Sequence, residues 1–489
     1  MRSLIVVENV RRWPFELEGV EVVPARAYLV DPRFADMRRA AVYNMCRRIG
    51  YQSVGYYVSL LAAARGHRPL PSVSTLQALG HPPVLRTASE ELDTEIQRSL
   101  SRLRGDAFVL SVYFGRNVAK RYDRLSRALF NYFPAPILLA RFQRTPEGWR
   151  MASLRLGATS EIPDAHRDFV LESAESYFTR RHATRPRTTS SMRYDLAVLW
   201  TPDDPSPPSD ERAVRRFLRA AARQGISAEI IGPEDYGRIA EYDALFIRQT
   251  TYVNHHTYRF ATRAVAEGLV VIDHPEAIVR ATNKVYQTEV FARHGIPSPR
   301  THVMHEGNVS ELAERVGLPC VLKKPDGAFS QGVVKVHTTE EAEARLKELL
   351  KESELVVAQE YVPSDFDWRV GILDRELLFV CRYHMARGHW QIVAREGTRE
   401  RFGRVQAVPL DEAPSDVVQT ALRAGALFGD GLFGVDLKVV GGRVLVMEVN
   451  DNPNIDAGYE DALQKNMIYD AIAVWFRTRL DRRGEGRGG

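Results

Sequence analysis

The chain has 489 residues, 44% hydrophobic and 26% charged, with a formal net charge of +5. That length provides for about two to four domains with sizeable cores, and no apolar run approaches the roughly 18 residues that a membrane helix needs. Three cysteines, Cys46, Cys320 and Cys381, are too few and too dispersed for a disulfide framework or a compact cysteine metal site, which points to a reducing, cytoplasmic setting.

The opening "MRSLIVVENV" is too short an apolar run, too soon followed by charge, to act as a signal peptide. Residues 1–190 carry 29 Lys and Arg against 18 Asp and Glu, so an acidic partner suits this half. No recognisable nucleic-acid motif accompanies the excess, and nucleic-acid or ribosome contact is the disfavoured reading. In chain order, "SLIVVENV" predicts a strand and "RRAAVYNMCRRIGYQSVGYYVSLLAAARG" a helical stretch. "DAFVLSVYFG" predicts a second strand and "VAKRYDRLSRALFNYF" a helix, which together make residues 1–182 a mixed α/β domain.

Residues 183–192, "ATRPRTTSSM" within them, lack apolar periodicity and read as a linker. From 193 to 281 strands and helices alternate: "YDLAVLW", "SDERAVRRFLRAAARQG" with Ser209 as its cap, "SAEII", "DALFIRQ" and "TYRFATRAVAEGL". That alternation predicts a small parallel-sheet domain. A third domain spans 282–480. Its elements are the helix "NKVYQTEVFARHG", the strands "PCVLKKP" and "GAFSQGVVKV", the helix "TEEAEARLKELLKES" and the strand "LVVAQEYV". The strand "RELLFVCRY", the helix "SDVVQTALRAGALFG" and the hairpin "VDLKVVGGRVLVMEVN" complete it. Residues 481–489 are expected to be a flexible tail.

The hairpin carries the first chemical signal. Leu445, Met447 and Val449 are expected on one face, and Val446, Glu448 and Asn450 on the other. A two-residue Gly441–Gly442 turn would pair Asp436 with Met447 and turn Asp436 away from Glu448. A three-residue connection shifts the register by one and brings Asp436, Glu448 and the Asn450 carbonyl together, so the odd loop is expected. Hard oxygen ligands of that kind suit Mg²⁺ held with nucleotide phosphates. Upstream, Lys323 ends an apolar strand before a loop with Gly327, Ser330 and Gly332, whose small residues let backbone N–H groups approach phosphate oxygens. The pattern GxxxxGK[ST] is absent, so this is not a P-loop. Adjacent His255 and His256 do not face one site on a helix, and "VMHEGN" lacks the second histidine of HExxH.

Six stretches in order, "AIVRATNK", "VLKKPDGAFSQGV", "VAQEYV", "DWRV", "FGVDL" and "VMEVNDNPN", make residues 194–475 resemble the ATP-grasp enzymes, in particular the RimK-like carboxylate–amine ligases. The basic N-terminal part resembles the domain that precedes the ligase in a subgroup of them. The resemblance implies an α/β chain with an α+β, two-lobed ATP-grasp fold behind a small parallel-sheet domain. It implies ATP and two Mg²⁺ ions as cofactors, Mn²⁺ being a compatible substitute. Lys284 and Lys323 would contact the phosphates beneath the loop from Gly327 to Gly332. Gln359, Glu360, Tyr361 and Val362 would line the adenine and ribose pocket, with Asp367 reaching the nucleoside. Asp436, Glu448 and Asn450 would hold the metals, and Arg382 would stand beside the transferred phosphoryl group, making Arg382 and Lys323 the catalytic pair.

The implied reaction activates a carboxylate as an acyl phosphate, which an amine then attacks. The expected substrates are glutamate or another acidic amino acid and a peptide or protein acceptor, with a small-molecule dipeptide or natural-product ligase as the alternative. An ATP-switched binding protein docking on an acidic partner is the reading from another class. Gln391, Ile392 and Val393 depart from the polar run, ending in Asn, that the family carries there. Arg387, Arg395, Arg399 and Arg401 offer nearby charge for a substrate carboxylate. No membrane is implied, and an oligomer is compatible with the pattern.

Overall fold

The computed structural model describes residues 2–13, 15, 17, 19–37, 40–79, 82–183, 192–326, 333–396 and 399–485. It divides into two units, Met1–Thr189 with Glu234–Glu241, and Ser190–Pro233 with Tyr242–Gly489. In the first, a parallel sheet has the order Val20–Pro24, Arg2–Val7, Ala40–Asn44, Arg68–Leu70. Its two faces feed different cores, Leu4 and Val6 packing with Tyr28 and Val58, Ile5 and Val7 with Leu110 and Phe142. An antiparallel sheet of Ala107–Tyr113, Ile137–Thr145 and Gly148–Leu156 completes the unit. The expected long helix is corrected here: Ala40–Asn44 is a strand, and the helix is confined to Val54–Ala64. All five strand residues are buried, so the run lacks a wet face to mark its period.

The second unit opens with a parallel sheet ordered Val270–Ile272, Ala244–Ile247, Tyr194–Leu199, Ile226–Ile231. The helices Glu211–Arg223 and Asn466–Glu485 bury Phe217 and Phe476 against Phe246. Ser209 is not the cap of the first of these helices. Asp210 is, its carboxylate accepting the Ala213 N–H at 2.8 Å, while the Ser209 hydroxyl turns inward to the Ile455 carbonyl. Residues 481–485, expected in a loose tail, continue the last helix.

Two further sheets follow in the second unit. One has the order Thr301–Met304, β2, β1, Val333–Val336, where β1 is Cys320–Lys323 and β2 is Val356–Glu360. The other is antiparallel throughout, ordered Val405–Val408, β4, β3, β5, β6. Here β3 is Phe366–Leu373, β4 is Glu376–His384, β5 is Leu432–Val440 and β6 is Arg443–Asp451. One face of this sheet packs Val370, Val435 and Val449 under Val417 and Ala421 of the helix Ser415–Gly425. The other face packs Phe379, Cys381 and Leu432 with Ile468 and Phe476 of the helix Asn466–Glu485, and only its remainder is left for polar side chains.

The hairpin β5–β6 corrects the loop prediction. Val440 pairs with Arg443, so the turn is the two-residue one, with Gly441 and Gly442 at φ of 57° and 73°. Asp436 nevertheless pairs with Glu448, because the register slips between Asp436 and Leu437. The β-bulge supplies the extra residue that a longer loop would have supplied. It also reverses part of the expected facing: Val446 joins Val449 in the core, and Met447 lines the cleft beside Glu448.

Candidate active site

A cleft of about 1120 Å³ lies over the polar part of the five-stranded sheet. Side chains two apart on a strand share a face, which brings Asp367 and Arg369 of β3 alongside Asp436 and Lys438 of β5. Arg369 donates to both oxygens of Asp436, through NH2 at 2.8 Å and through Nε. Gly434 makes room for it: a Cβ there would stand 3.0 Å from the Arg369 Cδ. The Asn450 amide nitrogen, rather than its carbonyl, faces Asp436, at 3.1 Å from Oδ2.

On the opposite wall, Lys323 Nζ donates to Gln359 Oε1 at 2.8 Å, and the Gln359 amide donates to Thr301 Oγ1 at 3.1 Å. Lys284, the first residue of the helix Lys284–Arg293, lines the cleft from the end of a segment capped by Asn283. Lys335 covers the Tyr361 ring, its Nζ 3.5 Å from the centroid. Lys438 Nζ is 3.0 Å from the Val362 carbonyl and 3.3 Å from Asp367. The amides of Glu360 and Tyr361 are engaged by the Arg300 and Pro319 carbonyls, and the Glu360 carboxylate pairs with Arg300 at 3.4 Å.

These groups perturb one another strongly. Burial, with Lys284 and Lys438 nearby, pushes Lys323 down to about 8. Burial drives the Glu448 carboxyl upward, yet Lys284, Lys323 and Arg369 outweigh it and hold the group below its ordinary value. Asp436 is pushed up to about 6 by burial despite Arg369. A buried carboxylate directly opposite a half-buried one, with an amide alongside, is a donor set that suits a divalent cation. Among the described residues no three His, Cys, Asp or Glu side chains already converge as a cage. Mg²⁺ bound together with nucleotide phosphates needs no such cage.

Most expected site residues therefore line one cleft, but Arg382 does not. It pairs with Trp368 on the core-facing side of the sheet, its guanidinium carbon 4.7 Å from the Trp368 ring and 5.0 Å from the Phe366 ring. Arg369, on the adjacent strand and the opposite face, reaches the cleft instead, as does Arg404. Gly327, Ser330 and Gly332 lie outside the described residues, as do the side chains of Arg395 and Arg399. His255 caps the helix His256–Ala266 from outside it, so the two histidine rings do meet, their centroids 3.9 Å apart; His256 bonds Gln249, and burial pushes it down to about 4.

Sequence reasoning missed Arg369, Lys438 and Arg248. The signal for the first two was alternation, since Asp367 and Arg369, like Asp436 and Lys438, are polar residues two apart in apolar strands. Arg248, 1% exposed, donates to Asn452 Oδ1 at 2.6 Å, to the Pro453 carbonyl at 2.9 Å and to Ser209 Oγ. It thereby holds the segment after Asn450, where Asn452 takes a φ of 46°. No local pattern announces so distant a contact.

Comparison with known proteins agrees with this architecture. Residues 25–173 match the model of the RimK-like ATPgrasp N-terminal domain, and residues 281–472 that of the RimK-like ATP-grasp domain. A probable alpha-L-glutamate ligase of Vibrio vulnificus is 26% identical over 257 residues, covering 51% of this chain and 82% of the relative. One from Rhodopirellula baltica is 24% identical over 288 residues, covering 55% and 69%. Among solved structures, a RimK domain protein ATP-grasp from Sphaerobacter thermophilus aligns with a TM-score of 0.44 at 18% identity, covering 57% of this chain and 98% of the other. The chain belongs to the RimK-like ATP-grasp family of carboxylate–amine ligases, with the family's N-terminal domain ahead of the ligase fold.

Proposed function

We propose that the chain forms an amide between the carboxylate of a peptide or protein and the amine of glutamate or another acidic amino acid, through an acyl phosphate. The observation that carries this reading is the pairing of Asp436 with Glu448 across the β5–β6 hairpin, facing Lys284 and Lys323 over one cleft. The names of the related proteins and the presence of Arg404 on the cleft wall support the acidic amino acid.

Lys284 and Lys323 would hold the triphosphate, and a phosphate partner would restore the charge that burial costs Lys323. The segment Gln359–Val362 and Asp367 receive the nucleoside. Asp436, Glu448 and Asn450 would hold Mg²⁺, the Asn450 amide turning its oxygen inward. The metal supplies charge neutralisation across the transferring phosphoryl group. Arg369 takes the role expected of Arg382, its fork shared between Asp436 and the oxygens on which charge develops.

The test is mass spectrometry of the full chain incubated with ATP, Mg²⁺, each amino acid in turn and a cell extract. A product heavier by one amino-acid residue, absent for Glu448→Gln, is the expected result. Release of ADP and phosphate without any amide product across the screen would sink the reading.

A further inference from the structure

Four carboxylates that line the cleft have no part in the scheme above: Asp326, Asp451, Asp456 and Glu460. Glu460, in the segment after β6, lines the cleft although it is only 2% exposed. Its Oε1 accepts the Tyr383 hydroxyl at 2.5 Å and its Oε2 accepts the Asp456 N–H at 2.7 Å. Two fixed donors set the plane of the carboxyl, and each oxygen keeps a second lone pair. Tyr383 lies beneath Arg369, whose guanidinium carbon is 4.8 Å from the ring centroid, and Arg369 in turn holds Asp436. Contacts thus run without a break from the hairpin carboxylates to Glu460.

We propose that Glu460 is the general base of the amide-forming step, taking a proton from the ammonium of the incoming amine, with Tyr383 as its positioning residue. The inference rests on the ligase reading above and adds to it the group that makes the amine nucleophilic. The amine arrives as R–NH3⁺, and one proton passes to a Glu460 oxygen, leaving a lone pair on nitrogen. That lone pair attacks the acyl carbon, the C–N bond forms and the bond from acyl carbon to phosphate oxygen breaks. Phosphate leaves carrying the second N–H proton as hydrogen phosphate, and Glu460 returns its proton to solvent.

The setting matches the task. Before the transfer, the carboxylate is a counter-ion for the ammonium it will deprotonate. Burial pushes Glu460 up to about 7, where a base works best at neutral pH. Tyr383 and the Asp456 amide oppose that rise and the Asp456 carboxylate adds to it. Cys381 on β4 and Arg248 at the end of Ala244–Ile247 are the other titratable groups coupled to it. Asp456, the neighbouring acid, accepts the Asp210 N–H at 2.6 Å through Oδ1 and is the carboxylate that the test separates from Glu460.

The experiment offers the full chain, with ATP, Mg²⁺ and the substrate pair returned by the screen, two nucleophiles: the amino acid, and hydroxylamine, which is largely unprotonated at neutral pH. Glu460→Gln is expected to lose about 100-fold or more in amide formation while still trapping the acyl phosphate as hydroxamate. Tyr383→Phe, which keeps the base and removes one donor to it, is expected to move the acidic limb of the amine reaction to higher pH and leave the hydroxylamine reaction in place. Equal loss of both products in Glu460→Gln, with an unmoved limb in Tyr383→Phe, overturns the proposal. So does selective loss of the amine reaction in Asp456→Asn instead. A wild-type chain that makes amide but no hydroxamate overturns the acyl-phosphate reading itself, and a screen without product overturns both.

Discussion

Among residues 2–183 the buried polar side chains are serines, asparagines, a threonine and His67, all compatible with a neutral interior. Between residues 192 and 485 the buried set includes Arg248, Asp273, Arg369, Asp436, Lys438, Asp451, Glu460 and Asp461. Burying charge is costly unless each group is paired, and an apolar core would be more stable without it. Residues 2–183 follow the ordinary rule, with aromatic and aliphatic packing around Tyr43, Phe142 and Phe178, and the buried charge in their unit is Glu241, which accepts the Tyr177 hydroxyl. The C-terminal unit breaks it, and five of those eight charges, Arg369, Asp436, Lys438, Asp451 and Glu460, line one cleft. The contrast marks that cleft as the place where buried charge is concentrated.

Substitutions test that division, the largest effect first. On the proposed reading Glu448→Gln should lower amide formation by about 10³-fold or more, since a charge that would hold the metal, and through it the phosphates, is lost, while the melting temperature changes little. Product counting by mass spectrometry checks it; retention of activity would mean the charges serve folding alone. Arg369→Ala should cost about 3–5 kcal/mol in denaturant unfolding, because it strands the buried Asp436 carboxylate. An unchanged midpoint would mean that Asp436 finds another partner.

The pH dependence of stability follows from Glu460. Its pKa is raised in the fold from 4.5 to about 7, so the folded state binds more protons between those values. The contribution is therefore full below about pH 4.5 and is lost as pH rises through 7. Glu460→Gln carries no such charge. Without nucleotide, its stability relative to wild type should climb by roughly 2–3 kcal/mol from pH 4.5 to 8; a flat difference would contradict the buried, protonated state. The smallest effect belongs to the N-terminal surface. Arg33→Ala breaks an exposed pair with Glu21 at 2.8 Å and should cost about 0–1 kcal/mol, with amide formation unchanged.

Residue pattern and tertiary structure divided the work along physical lines. Strand–helix alternation, the Lys323 strand end and the acidic strand residues were legible because each is a local relation, written in periods of two and 3.6. The family resemblance assembled them in the right order. Ala40–Asn44 was misread because a strand buried on both faces has no period to display. The hairpin was misread in its turn yet kept its carboxylates together, since a bulge can replace the extra loop residue and no local rule announces it.

The choice between Arg382 and Arg369 shows where local reading ends. Both stand in apolar strands, and which face meets solvent depends on the helix Ser415–Gly425 that covers the other side. The Arg248 clamp and the link from Asp436 through Arg369 and Tyr383 to Glu460 join residues distant in the chain. Sequence alone determined which side chains could do phosphate and metal chemistry and in what order they occur. Only the packed sheets decided which of them share a cleft, because facing and partnership are properties of neighbours that the chain brings together when it folds.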